Sequence, residues 1–538
     1  MTNTIKIFAL VMCCQFFSQH ASGQFSNRWG DQSDGTFINP VLPADYSDLD
    51  AIRVGDDFYA ISSTMQFSPG MVILHSKDLV NWDILGHVVD DLTRISPGLN
   101  WDKMNHYGRG IWAGSIRYYK KRFWVYFGTP DEGFFMSSAS NPSGPWEPVH
   151  PLWKVSGWDD CCSFCDDDGQ LYFVATNFTL DRTTNKKYNI HLFKMTDDGK
   201  SLILSSDRII HQSSGSEANK LYKFGQVYYH FFSEVKSEGR VIMMERSKSL
   251  SGPWEVKQLN HVNKTVDREP NQGGLIQLAN NESWFFTHHG TGDWEGRAAS
   301  LLPVKWVDGW PIIGSVGADG IGNMVWQSKK PINLRKTATG LVANDSFNQK
   351  ALLPQWEWNY QPRANSWSLA ERKGFLRLRS FRPIDPENLH KIILRAGNTI
   401  TQRSLRTDSN VVTIKLDIAN MADGQYAGLT HFSTAFYTWA GVKQDGPNRY
   451  LILMDNDRET VAEKLDTNWL WLRSVWDLAG NNYYLYSVDG KNFLPLGGTS
   501  KLVWGSYRGD RIGIVNYNLK NDSGYIDVDF FKYEYSMQ

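Results

Sequence analysis

The chain has 538 residues, with 56 basic and 57 acidic side chains, and 41% of it is apolar. That length accommodates two or three domains with real cores. The balanced charge, with no basic stripe and no polybasic patch, excludes an obvious nucleic-acid or membrane-surface partner.

Residues 1–23 read as a secretory signal. Lys6 is the basic residue, Ile7 to Phe17 the apolar run and Ala21-Ser22-Gly23 the cleavage site. The run is too short to span a bilayer, and no small residues precede Cys13 or Cys14 as a lipoprotein would need. The expectation is an exported protein, periplasmic in a Gram-negative cell.

Residues 24–330 carry a five-fold pattern. Each copy has a polar or aromatic residue, an apolar residue four places on, a turn rich in Gly, Asp, Lys or Asn, and a short aromatic strand. The copies begin at Asp48 (DLDAIRVGDDFYAIS), Trp112 (WAGSIRYYKKRFWVYFG), Asp160 (DCCSFCDDDGQLYFVAT), Glu217 (EANKLYKFGQVYYHFFS) and Gln272 (QGGLIQLANNESWFFTHHG). Repeats of this length with several strands each predict propeller blades. Residues i and i+4 share a strand face, so the five leading residues should gather near a common axis. A second pattern, in HSKDLVNWDILG (75–86), SSASNPSGPWEPV (137–149) and ERSKSLSGPWEVK (245–257), predicts the outer turns of blades.

Polar composition near Gln327 to Asn344 predicts a linker, assigned to 331–344. From 345 to 538 alternating strands such as GFLRLRS, VVTIKLDI and YIDVDFFKYEY predict a β-sandwich. The fold expectation is all-β: a five-bladed propeller followed by a concanavalin-like sandwich. Cys161, Cys162 and Cys165 are too few for a disulfide framework, and CCxxC has no fourth ligand to complete a metal cluster. They are expected to be free, buried thiols, and no cofactor or metal is assigned to the catalytic region.

Three of the five axial residues are carboxylates. Glycosidic hydrolysis needs two carboxyl groups facing the scissile bond. In a five-bladed ring the first and fourth blades are not neighbours, so Asp48 and Glu217 would oppose each other, as an inverting enzyme requires. Asp160, one blade from Glu217, would raise the proton affinity of that acid by like charge. Singly, each has an ordinary explanation. Asp45 and Asp50 compete with Asp48, Asp159-Asp160 is a bend-capping pair, and Glu217 follows a Gly-Ser turn.

These motifs resemble glycoside hydrolase family 43. Asn39-Pro40 and SDLDAIRVGDDFY stand where the family has its NP and base-bearing elements, DCCSFCDDDG where it has its modulating aspartate, and EANKLYKFGQVYY where it has its acid. The resemblance implies Asp48 as general base, Asp160 as modulator, Glu217 as general acid and Arg297, in GRAASLLPVKWVDGWP, beside the sugar. Phe67 in MQFSPG matches an aromatic position near the family's sugar subsite, Trp112 has the axial phase for stacking on sugar, and Gln272 and His289 complete the candidates for substrate contact. Two positions depart from the family pattern: Leu49 replaces a proline, and Gln272 replaces a histidine that helps hold a central metal. His288 and His289 lie where the fifth blade could bring them near the site. The C-terminal motifs resemble the lectin-like sandwich of xylosidase and arabinofuranosidase members, which implies packing on the propeller at the pocket rim. Asp345, Asp527 and Asp529 are candidates there for a structural calcium.

The function expected is an exo-acting, inverting α-L-arabinofuranosidase working on plant hemicellulose side chains or oligosaccharides. β-D-xylosidase is the alternative, and a non-catalytic carbohydrate-binding protein the different-class rival.

Overall fold

The computed structural model describes residues 29–180, 187–213, 215–262, 270–289, 293–334, 340–385, 392–456, 458–505 and 508–536. The signal segment lies outside them. The described residues form strands and a few short 3₁₀ turns without an α-helix, and none of their helices is long and apolar enough to cross a membrane.

Five antiparallel sheets follow one another where the five-fold pattern predicts them. Their first strands are Asp50–Val54, Gly114–Tyr119, Trp158–Cys165, Glu217–Phe224 and Pro270–Gln277. We call them sheets I to V. Four have four strands in simple meander order, and sheet IV gains two short strands at its outer edge. Tight turns set this order locally. Gly55-Asp56, Lys120-Lys121 and Gly225-Gln226 each join a first strand to a second by a two-residue hairpin. Lys120 and Lys121 both take positive φ, 50° and 58°, the geometry that matches strand twist in such hairpins. The three Ser-rich segments join third and fourth strands of sheets I, II and IV, which puts them at the outer edge as expected.

The first strand of each sheet packs on the first strand of the next, and that of sheet V returns to that of sheet I. Aromatic rings bridge every neighbouring pair. Tyr59 meets Phe123 at 4.9 Å, Phe134 meets Phe173 at 5.1 Å, and Phe164 meets Tyr228 at 6.2 Å. Phe231 meets Phe285 at 5.2 Å, and Trp82 stacks on Phe286 at 4.5 Å. Each such ring buries a large apolar area. Much of the aromatic excess is therefore inter-sheet packing rather than sugar binding.

The C-terminal region is two stacked sheets of eight and seven strands. The edge strand of the eight-stranded sheet is Phe67–Ser68, donated by the N-terminal region and paired with Glu357–Asn359. This corrects the expectation for Phe67. It is fully buried between the regions, against Phe432 and beneath the Arg511 guanidinium, 4.1 Å from its ring. Beside it Glu357, with no exposed surface, takes Arg403 at 2.9 Å and Arg511 at 2.6 Å. Burial opposes its charge, but the two guanidiniums hold it well below the usual carboxylate range. The polar stretch around 331–344 is not a free connector at its described ends. Gln327–Lys329 pairs with Thr36–Ile38, and the Gly340 amide donates to Asp83.

The sandwich acids named as calcium candidates have protein partners in the structure. Asp345 accepts from the Phe347 amide and the Trp356 indole, Asp527 is held by Arg372 and Arg377, and Asp529 by Lys415. The three cysteines are free as expected, although Cys165 is only half-buried.

Candidate active site

A cavity of about 550 Å³ opens where the five first strands converge, and all five leading residues, Asp48, Trp112, Asp160, Glu217 and Gln272, line it. Arg297 lines it too. The gathering has a local cause. In sheets III, IV and V the register slips by one residue at the same place, between Asp159 and Cys162, Glu217 and Lys220, and Pro270 and Gly273. Asp160 and Ala218 sit there at φ 53° and 69°, and Asp48 takes φ 56° just before sheet I. A bulge with a left-handed residue re-aims side chains that a regular strand would send to opposite faces. Such backbone costs about 1–3 kcal/mol per residue and persists where surrounding contacts over-determine it.

Asp48 is 5% exposed. Its Oδ1 accepts from Arg297 Nη1 at 2.7 Å, and its backbone N–H donates to His288 Nδ1 at 2.6 Å. That bond fixes His288 as an acceptor at Nδ1. Burial, then Arg297, pushes its proton affinity well down, so the ring is neutral. His289 does not reach the cavity. It meets Ser300 Oγ at 3.0 Å and stacks on Trp326, a second correction. The rivals of Asp48 are engaged elsewhere. Asp50 accepts from Arg117 and the Ile116 amide. Burial pushes the Asp45 carboxyl up, but Arg508, Arg511 and Arg403 together hold it below the usual range.

Asp160 Oδ2 accepts from the Ala218 amide at 2.7 Å and Oδ1 from Gln272 Nε2 at 2.8 Å. It thus ties the sheet carrying Glu217 to sheet V. Burial, then the charges of Glu217 and Asp48, push its carboxyl up to about 7. The axial carboxyl expected to act only as a charge on its neighbour therefore takes up a proton itself near neutrality, as like charges in one low-dielectric site dictate. Glu217 is partly exposed to the cavity and meets Arg240 Nη1 at 3.2 Å.

Sequence reasoning missed several lining residues, among them Asp159, Asn271, Arg240, Trp504 and Arg508. Asp159 and Asn271 adjoin predicted residues and enter only because of the bulges. Trp504 and Arg508 come from the C-terminal region. Arg508 Nη2 donates to Ser47 Oγ at 2.6 Å, and Arg403 Nε donates to the Asp45 carbonyl at 2.8 Å. The second region thereby grips the segment that carries Asp48.

The family pattern described as Glycosyl hydrolases family 43 matches residues 37–311, and that of the Beta xylosidase C-terminal Concanavalin A-like domain matches 344–534. The chain belongs to glycoside hydrolase family 43. It is 34% identical to a beta-xylosidase of Formosa agariphila, over 95% of this chain and 92% of the relative. It is 30% identical to a non-reducing end alpha-L-arabinofuranosidase of Bacteroides ovatus, over 64% and 65%. Among solved structures, the family 43 protein BlXynB of Bacillus licheniformis superposes with a TM-score of 0.79 at 26% identity, over 93% of this chain and all of that one. A bifunctional GH43-CE protein of Bacteroides eggerthii superposes at 0.81 with 28% identity, and there the chain spans 64% of the larger protein. The family 43 chain is a glycoside hydrolase, which sets aside the non-catalytic reading.

Proposed function

We propose that this family 43 enzyme is an exo-acting, inverting pentosidase that removes terminal β-D-xylosyl residues from plant hemicellulose oligosaccharides. The observation that carries the reading is the meeting of Asp48, Asp160 and Glu217 in one cavity with different partners. Asp48, held by Arg297, draws a proton from water as the general base. Glu217 gives its proton to the leaving oxygen, and Arg240 meets the carboxylate so formed. Asp160 orients the Glu217 strand through the Ala218 amide and shares proton binding within the cluster. Trp112 and Gln272, lining the same cavity, supply a stacking face and a hydrogen-bonding amide for the sugar.

The preference for xylose departs from the arabinofuranosidase expected above. It follows the name of the relative that matches along nearly the whole chain. The arabinofuranosidase reading stands second, supported by the Bacteroides ovatus relative. The closed circuit of first strands supports a five-bladed propeller over 24–330, joined through 331–344 to a sandwich over 345–538. The apolar run and cleavage-like site of residues 1–23 support export, periplasmic in a Gram-negative cell.

Turnover of 4-nitrophenyl β-D-xylopyranoside against 4-nitrophenyl α-L-arabinofuranoside tests the specificity. A ratio favouring the arabinoside would reverse it. Proton NMR of the first product anomer should show inversion; retention would overturn the two-carboxyl assignment.

A further inference from the structure

Asp159 is the one carboxyl of the cavity that the mechanism leaves without a task. It is 4% exposed, lines the cavity, and its Oδ1 has no hydrogen-bond partner among the described residues. A buried polar atom left unpaired is costly, and the structure keeps this one in the wall of the cavity. The surroundings are built around this oxygen. The slip between Asp159 and Cys162 turns Asp159 and Asp160 into the same cavity. A Cβ at residue 128 would lie 2.1 Å from Asp159 Oδ1, so only Gly128 leaves it room. The Gly128 carbonyl accepts from the Trp112 amide at 3.0 Å, and Trp112 lines the same cavity as Asp159.

We infer that Asp159 is a substrate-contact residue whose carboxyl group hydrogen-bonds a hydroxyl of the sugar bound in this cavity. The inference rests on the pentosidase reading. The neutrality of that carboxyl follows from the neighbours. Asp160 on its own strand, Asp48 ahead of sheet I and Glu217 on sheet IV all face it, so a charge on Asp159 would add to a crowded set of carboxyl groups. The cations of the site are engaged elsewhere: Arg297 with Asp48, Arg240 with Glu217, and Arg508 with Ser47 and Asp45. Lys220, on the Glu217 strand, draws on Asp160 and Cys161. Burial first, then Asp160, pushes the Asp159 carboxyl well above its ordinary range. A neutral acid offers both an O–H donor and a carbonyl acceptor, which suits a sugar hydroxyl.

The test compares D159A and D159N in the full chain. It reads kcat and KM on both nitrophenyl pentosides and the inhibition constants of free D-xylose and L-arabinose. Loss of a neutral hydrogen bond should raise KM and the constant of the preferred pentose about 3–10-fold in D159A, with kcat less affected. D159N, which presents a donor and an acceptor in the same place, should stay close to wild type. If D159A does not fold, the apolar near-isostere D159L takes its place. Unchanged constants in D159A or D159L would overturn the inference. So would a D159N in which kcat collapses while the pentose constants hold, because that marks an ionised carboxylate acting by charge. A wild-type chain that turns over neither pentoside would instead remove the pentosidase reading, and this inference with it.

Discussion

Replacing Asp160 with asparagine should make the enzyme more stable at alkaline pH while disabling it. The Asp160 carboxyl binds its proton at about 7 in the folded chain against an ordinary value of 3.8. Between those values the folded state holds a proton that the unfolded state has released, so wild-type stability falls as pH rises through the window. The full difference corresponds to about 4 kcal/mol, and more than half of it falls between pH 5 and pH 8. Asparagine removes this liability, since it carries no charge to desolvate. It also fits the surroundings. Its carbonyl oxygen can keep the Ala218 amide, and its amide nitrogen can face Gln272 once that side chain flips, because Gln272 Oε1 is otherwise unpartnered. Urea unfolding of wild type and D160N at pH 5 and pH 8 reads the effect, together with the relief that loss of the Asp160 charge gives the coupled Asp159 carboxyl. The stability difference should move in favour of D160N by roughly 2–3 kcal/mol from pH 5 to pH 8. A difference that does not change with pH would refute the reasoning. Turnover should fall at every pH, an instance of functional strain held at a cost in stability.

Asp48→Asn should lose about 10²–10⁴-fold in kcat on every glycoside, because water activation does not depend on the leaving group. Comparable rates on nitrophenyl substrates would exclude Asp48 as the base. Glu217→Gln should retain far more activity on nitrophenyl pentosides than on xylobiose or arabinosyl oligosaccharides, since nitrophenolate leaves with little proton assistance; equal losses on both would contradict its role as acid. Arg508→Met removes a buried cation from Asp45 and a donor from Ser47, so unfolding should become easier by about 3 kcal/mol and kcat should drop. A variant as active and as stable as wild type would show that the C-terminal grip on the Asp48 segment is dispensable. Thiol titration of the denatured, unreduced protein should find Cys161, Cys162 and Cys165 all free, and a count of one would contradict this.

The sequence alone carried the repeat, and with it the placement of Asp48, Trp112, Asp160, Glu217 and Gln272 at one end of five sheets. Such placement is local information. A turn of Gly, Lys or Asp fixes where a first strand ends, and strand periodicity carries the phase back to the leading residue. Tertiary structure decided the rest. Asp159 and Asn271 should point away from Asp160 and Gln272 in a regular strand, and only bulges, which no residue type announces, bring them in. Phe67 fits a sugar-stacking position by local motif, yet its strand pairs with Glu357–Asn359, nearly three hundred residues on, and the ring is spent on the contact between regions. His288 and His289 look alike in sequence, but alternation along Ser283–His289 sends one to the Asp48 amide and the other to Ser300. Arg508 reaches Ser47 from the far end of the chain. Contacts at such separation depend on how two finished folds pack together, and that packing is written in the burial of Glu357, Arg403 and Arg511 rather than in any single stretch of sequence.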